Sequence, residues 1–385
     1  MVALGIEVLL SQQRDLLRSK RVGLVSNYTA TNSRFQPVID LLLDGDSWRL
    51  VKLFGPEHGV KNAAKEGEHV ASEMDGHSGL PVYSLYGELH KPTPEMLTGL
   101  DVMVIDLPDI GTRYYTNMNT LAYCLEACAS VGIPVIVADR PNPIGGVVRE
   151  GNLPDPAFYS FVGMYPIPNR HGLTLGELAQ LHNDGLNSRA DLMVVRAEGW
   201  SRQQMLPDTG LPFVPSSPNT SSLEMCLLYP GTCLFEGTNL SVGRGTAHPF
   251  TVIGAPYVDG HQWAQVFNEA ELPGVRARPL YFIPSYSTHQ GELCGGVQLH
   301  VTDRHVLQSV RIGLVLLQTA FSLFKEFEFL PPQGGGPWFL DLLAGTDRLR
   351  HLVSQGNAEA YLGDSRSAVE QFSHTVQPYL LYEQE

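Results

Sequence analysis

The chain has 385 residues, 43% of them hydrophobic and 17% charged, with a formal net charge of −14. That length accommodates two domains, or one large one with a sizeable core. The acidic balance excludes a general nucleic-acid or anionic-membrane surface, because no basic excess exists to neutralise phosphates. No apolar run reaches about 18 residues, so no transmembrane helix is expected. The N-terminus MVALGIEVLLSQQRDLLRSKR lacks a basic start, a long apolar core and a small-residue cleavage site. It does not read as a signal peptide, and a cytoplasmic location is the expectation. Cysteines 124, 128, 226, 233 and 294 form an odd set without CxxC pairs, which suits a reducing compartment; Cys124 and Cys128, four apart on one helical face, read as small core residues.

Taken in chain order, short β-branched runs alternate with helical patterns. Strands are expected at VGLVSN (22–27), RLVKLF (49–54), VMVID (102–106), IPVIVAD (133–139) and DLMVVRA (191–197). Helices are expected around 35–44, 93–99, 117–131 and 174–186. Apolar strands separated by helices predict an α/β fold, a Rossmann-like parallel sheet covered on both faces. The helix at 174 opens on Thr174-Leu175-Gly176-Glu177, the spacing of a capping box, so Glu177 reads as a cap. Beyond about residue 230, glycine, proline and aromatic residues crowd YPGTCLFEGTNLSVGRGTAHPF. Strands at RARPLYFIP and GGVQLHVTD follow, then a long apolar helix at 305–325, a turn-rich LPPQGGGPW (330–338) and a helical tail. The expected division is an N-terminal unit, 1–230, and a smaller α+β C-terminal unit, 231–385, that closes a cleft.

In a doubly wound sheet, ligands sit beyond the carboxyl ends of the strands. Those ends carry Ser26-Asn27, Glu57-His58, Asp106 with Asp109, and Asp139-Arg140-Pro141-Asn142, where the strand bodies are apolar. With Arg113-Tyr114-Tyr115 close behind Asp109, they outline a polar cleft. HExxH and GxSxG are absent, no GxGxxG follows the first strand, and Gly237–Thr246 lacks the lysine and glycine spacing of a phosphate loop; that segment reads as a ligand-contacting turn at the domain junction. His58, His69, His77 and His90 are spaced by 11, 8 and 13 residues, which matches no regular metal-ligand pattern, so neither metal nor cofactor is expected. Carboxyls, aromatic rings and arginines around one cleft suit sugar chemistry. A non-catalytic sugar-binding protein and a metal-dependent hydrolase share parts of this inventory.

Seven segments occur in order: FGPEHG (54–59), GLPVYSLYG (79–87) with KPTPEML (91–97), IDLPDIGTRYYT (105–116), DRPNPIGG (139–146), PNRHGLTLGELA (168–179), SPN (217–219) and FEGTNLSVGRGT (235–246). In them the chain resembles the exo-β-N-acetylmuramidase family NamZ over nearly its whole length. The resemblance implies a Rossmann-like domain with a smaller C-terminal domain. The implied activity is release of N-acetylmuramic acid from the non-reducing end of β-1,4-linked peptidoglycan fragments. It places the catalytic glutamate at Glu57, as general acid, with His58 in support, and offers Asp106 or Asp109 for a second carboxyl role. Where many relatives read Asp-Ile-Gln-Asp-Val-Gly, this chain has Asp106-Leu107-Pro108-Asp109-Ile110-Gly111. The substrate's lactyl carboxylate calls for a guanidinium, with Arg113, Arg140 and Arg244 as candidates. His171, Asn219, Glu236, Asn239 and Arg244 are expected to wall the cleft, and Asn27, Tyr114, Tyr115, Asp139 and Asn142 to contact the sugar. Oligomeric state is left open.

Overall fold

The computed structural model describes residues 2–65, 67–68, 72–332 and 334–383. Seven strands form the larger sheet: β1 (Arg21–Val25), β2 (Arg49–Gly55), β3 (Glu73–Met74), β4 (Pro81–Ser84), β5 (Val102–Ile105), β6 (Val135–Ala138) and β7 (Leu192–Val195). Their order is β3-β4-β2-β1-β5-β6-β7. All neighbours are parallel except β3, which runs antiparallel on β4. The chain winds outward from β1 through β2 to β4, then crosses back to β5 on the other side of β1. The carboxyl ends of β1, β2 and β5 therefore face one crevice at the point where strand order reverses.

The five expected strands all form; the central β1, β5 and β6 are buried on both faces, while edge strand β7 leaves Met193 exposed. One face packs Leu121, Leu125 and Leu178 against Met103, Ile105 and Val137; the other packs Ile6, Leu9, Val38 and Ile39 against Val22, Leu24 and Val104. The helices Asn117–Val131 and Leu175–Asp184 also form. Glu177 is the cap its spacing predicts: its Oε2 accepts from Thr174 N–H at 3.0 Å and its own N–H donates to Thr174 Oγ1 at 3.2 Å. β3 and β4 are not legible in the sequence, since four residues beginning with proline acquire strand geometry only by pairing with β2.

A second, antiparallel sheet comprises β8 (Val252–Ala255), β9 (Val275–Phe282) and β10 (Cys294–Val301), in the order β8-β10-β9. It shares one hydrophobic core with the helices Leu223–Thr232 and Ser309–Leu323. Pro230 and Gly231 make the first of these helices hard to foresee. Their reason is tertiary: a Cβ on Gly231 would lie 2.1 Å from the Ser309 carbonyl oxygen, and one on Gly313 2.3 Å from that of Gly231. Two helix backbones touch there, so only glycine fits. The chain finally returns to the large sheet. Phe372 and Val376 join the core around Leu178, and the Tyr382 hydroxyl donates to Asp139 Oδ2 at 2.7 Å.

Candidate active site

The turn after β2 presents Glu57. Gly55 must be glycine, because a Cβ there would come within 2.8 Å of Val60 N. Gly59 N–H closes on Pro56 O at 2.9 Å, and His58 (φ +70°) and Gly59 (φ +73°) are both left-handed. His58 accepts that strained conformation while its Nδ1–H donates to Ala64 O at 2.8 Å; a carbonyl only accepts, so the proton sits on Nδ1. The histidine thus ties down the loop that follows Glu57. Val60 O takes a bond from Tyr28 N–H at 2.9 Å, fixing the turn to the loop after β1.

Glu57 is half-buried and faces a cleft of about 530 Å³ counted to its open mouth. Its Oε2 accepts a hydrogen bond from Thr116 Oγ1 at 2.7 Å. Around it stand His58, Tyr114, Tyr115, Thr116 and Asn117 from the first unit, then Ser216, Ser217, Asn219 and Thr220 from the following loop. Met225, Tyr229, Arg244 and Phe250 complete the lining. Tyr229 meets Phe250 edge-on at 4.6 Å between centroids, and the Arg244 guanidinium lies 5.0 Å from the Phe250 ring centre. Arg244 is also paired with Glu236 Oε1, at 2.7 Å. The Tyr115 hydroxyl donates to Ser216 Oγ at 2.7 Å, and the Tyr286 hydroxyl to Asn219 Oδ1 at 2.9 Å. The Lys65 ammonium lies 5.1 Å from the centre of the Tyr286 ring, so the loop that follows Glu57 touches the second unit.

Of the residues singled out in the sequence, Glu57, His58, Tyr114, Tyr115, Asn219 and Arg244 line this cleft. The others are revised by their surroundings. Asp106 is fully buried and ion-paired with Arg140; burial raises its pKa while the guanidinium opposes the rise. Asp109 and Arg140 line a neighbouring cavity that shares only Ser216 and Thr220 with the Glu57 cleft. Asp109 Oδ2 accepts from Gly111 N–H at 2.7 Å and lies 3.6 Å from His171 Nε2. His171, wholly buried, takes the Leu173 N–H on Nδ1 at 3.1 Å, which leaves its proton on Nε2 towards Asp109. Neither aspartate is among the residues that line the Glu57 cleft.

Arg113 is also sealed in the core. Its guanidinium donates to the carbonyls of Asn152, Ile167 (2.9 Å) and Leu343 (2.7 Å), stapling the two units together. Asp139 accepts from Gly176 N–H (2.8 Å), Thr174 Oγ1 (2.7 Å) and Tyr382 OH (2.7 Å). Burial without a cation pushes its pKa up to about 6 despite those bonds. Asn142 bridges Leu173 O and Ile144 N–H inside the fold. Asn27 turns its Oδ1 to Thr29. Asn239 holds Glu326 O, Glu328 N–H and Tyr257 OH within the second unit, and Glu236 reaches the cleft through Arg244. These side chains are polar because loops packed beneath a cleft must satisfy buried backbone groups, a demand that looks the same in sequence as ligand binding.

Thr116, Ser216, Ser217, Thr220, Tyr229 and Phe250 are site residues that the sequence did not single out. Thr116 and Ser217 fall inside the matched segments IDLPDIGTRYYT and SPN, whereas Tyr229 and Phe250 stand at the two ends of the aromatic-rich stretch 229–250 without a signal of their own. Among the described residues no three His, Cys, Asp or Glu side chains gather as a metal site would require. His77 bonds Asp40 (3.0 Å) and His90 packs on Phe161, while His69 lies outside the described residues.

Comparison with known proteins places this geometry. Residues 22–224 match the family described as exo-beta-N-acetylmuramidase NamZ, N-terminal, and residues 227–382 its C-terminal counterpart. This chain belongs to the NamZ family. It is 44% identical over 383 residues to the peptidoglycan beta-N-acetylmuramidase NamZ of Bacillus subtilis, covering 99% of this chain and 91% of that protein. The fold is similar to two crystal structures of DUF1343 family proteins from Bacteroides fragilis. One has a TM-score of 0.90 at 36% identity, covering 99% of each chain; the other has 0.79 at 29%, covering all of both.

Proposed function

We propose that this protein is an exo-acting glycosidase that releases N-acetylmuramic acid from the non-reducing end of β-1,4-linked peptidoglycan fragments, a step of cell-wall turnover, with Glu57 as general acid. Family membership across both units supports the activity. The observation that carries the residue assignment is that Glu57 is the only carboxyl among the described residues lining the cleft. Its backbone is held by the Gly55–Gly59 turn and one of its oxygens by Thr116. In this reading Glu57 gives its proton to the glycosidic oxygen as that bond breaks, and a water hydroxyl joins the anomeric carbon. Tyr115, which is partly exposed, offers aromatic surface to the pyranose, while Tyr229 and Phe250 are buried behind the cleft wall. Arg244, which lines the cleft and pairs with Glu236 there, is the guanidinium assigned to the lactyl carboxylate, since Arg113 and Arg140 lie outside that lining.

The test is Glu57→Gln, which keeps the side chain's shape and removes its ionisable proton. Release of N-acetylmuramic acid from a muramic acid–glucosamine disaccharide, followed by mass spectrometry, falls by at least about 100-fold if Glu57 is the acid. Near-normal release refutes the assignment.

A further inference from the structure

We infer that Thr116 is the positioning residue for Glu57: its hydroxyl holds Oε2, which makes Oε1 the oxygen that delivers the proton. The inference rests on Glu57 being the general acid. Thr116 Oγ1 lies 2.7 Å from Glu57 Oε2, and Oε1 has no hydrogen-bond partner among the described residues.

What distinguishes Thr116 is what its hydroxyl does not do. It immediately precedes the 15-residue helix Asn117–Val131, the place where a threonine or serine normally accepts a backbone N–H from the first turn. Three other helices of this protein are capped in that way. Thr93 accepts from Met96 N–H (3.4 Å), Thr174 from Glu177 N–H (3.2 Å) and Ser222 from Met225 N–H (3.1 Å), all from extended backbone. Thr116 instead has φ −71° and ψ −12° and makes no side-chain cap bond. Its hydroxyl is turned away from the helix and given to a carboxyl 59 residues earlier in the chain. The neighbours on both sides are fixed, Tyr115 by Ser216 and Asn117 by the Pro108 carbonyl at 2.7 Å. The β-branched side chain restricts χ1 further, so the donor's direction is set before substrate arrives.

The chemistry follows from the bond's polarity. A hydroxyl that donates to Oε2 leaves Oε1 to carry the acidic proton. As that proton passes to the glycosidic oxygen and the C–O bond breaks, Glu57 becomes a carboxylate. The Thr116 bond then becomes charge-assisted and strengthens. Water's hydroxyl joins the anomeric carbon, and its remaining proton restores Glu57. An interaction stronger during proton transfer than before it raises kcat rather than binding.

The experiment compares Thr116→Val, nearly isosteric but without a donor, with Thr116→Ala and Thr116→Ser in the full chain. The disaccharide assay supplies kcat and KM, and circular dichroism reports the fold. Expected for Val and Ala is a kcat lower by about 10- to 100-fold, the worth of one hydrogen bond to a charged group, with KM changed less than about twofold. Ser, which restores the donor, returns kcat to within about threefold of the parent. The double variant Glu57→Gln/Thr116→Val is no slower than Glu57→Gln alone, because Thr116 acts only through Glu57. An unchanged kcat in both Val and Ala, or a further full loss in the double variant, overturns the inference while leaving Glu57 as the acid. Near-normal turnover in Glu57→Gln removes the acid assignment itself, and the inference with it.

Discussion

Asp139 stands at the carboxyl end of β6, where a ligand-binding acid would be sought, yet its bonds run inward to Gly176, Thr174 and Tyr382. Replacing it with asparagine tests that reading, because the side chain keeps its shape and loses its titration. In the folded protein its pKa is displaced from 3.8 to about 6 by burial. The folded state therefore holds this proton more tightly than the unfolded chain, and between about pH 4 and 6 unfolding releases it. Raising the pH through that window favours the unfolded state. At about 1.4 kcal/mol per pH unit, the parent loses about 2.4 kcal/mol relative to Asp139→Asn on going from pH 4 to pH 7. Urea unfolding of both proteins at pH 4, 5, 6 and 7 measures this, with stability differences taken from the midpoints and the slopes. The difference between the two curves narrows or reverses as pH rises and then stays constant above about pH 7. KM for the disaccharide is unchanged, since Asp139 does not line the cleft. Parallel stability curves across pH 4 to 7 refute the pKa argument, and a KM raised tenfold would return Asp139 to the binding site.

Three further outcomes follow from the geometry. Arg244→Gln weakens the muramic substrate by about tenfold or more through KM, the worth of one hydrogen bond to a charged group. It barely affects a glucosamine analogue without the lactyl arm, and equal losses on the two substrates exclude Arg244 as the carboxylate binder. Arg113→Ala removes the guanidinium from three buried carbonyls, of which Leu343 O keeps only the 3.4 Å bond from Asn169, and lowers stability by about 3 kcal/mol. Its urea midpoint falls, while KM in the surviving folded fraction is that of the parent. Gly231→Ala or Gly313→Ala forces two helix backbones apart at a cost of about 2–3 kcal/mol. A midpoint equal to the parent's in either variant contradicts that contact.

Long-range contacts explain why the sequence pointed to some site residues and misdirected attention to others. The FGPEHG turn is legible because Gly55, Pro56 and Gly59 interrupt an apolar strand, so Glu57 stands out. Asp106, Asp109 and Arg140 have the same local appearance, a polar side chain just past a strand, but the loops above fold over them and their partners are Arg140 for Asp106 and the buried His171 for Asp109. Thr116 reads as an ordinary helix cap until the 2.7 Å bond to Glu57 is measured. Tyr229 and Phe250 carry no polar signal and enter the cleft only because the helix Leu223–Thr232 packs on Ser309–Leu323.

The sequence by itself determined the α/β architecture, the parallel strands, the Thr174–Glu177 cap and the acid in the turn after β2. Each of these depends on periodicity or on conformational limits acting over a few residues. Tertiary structure alone decided which polar groups face solvent and which are consumed inside. It also decided that Arg113 joins the two units rather than meeting a substrate, and that a hydroxyl at the start of one helix serves a carboxyl in the turn after β2. Hydrogen-bond donors and acceptors at loop ends are satisfied by whatever the fold brings within about 3 Å, and no local pattern encodes that partner.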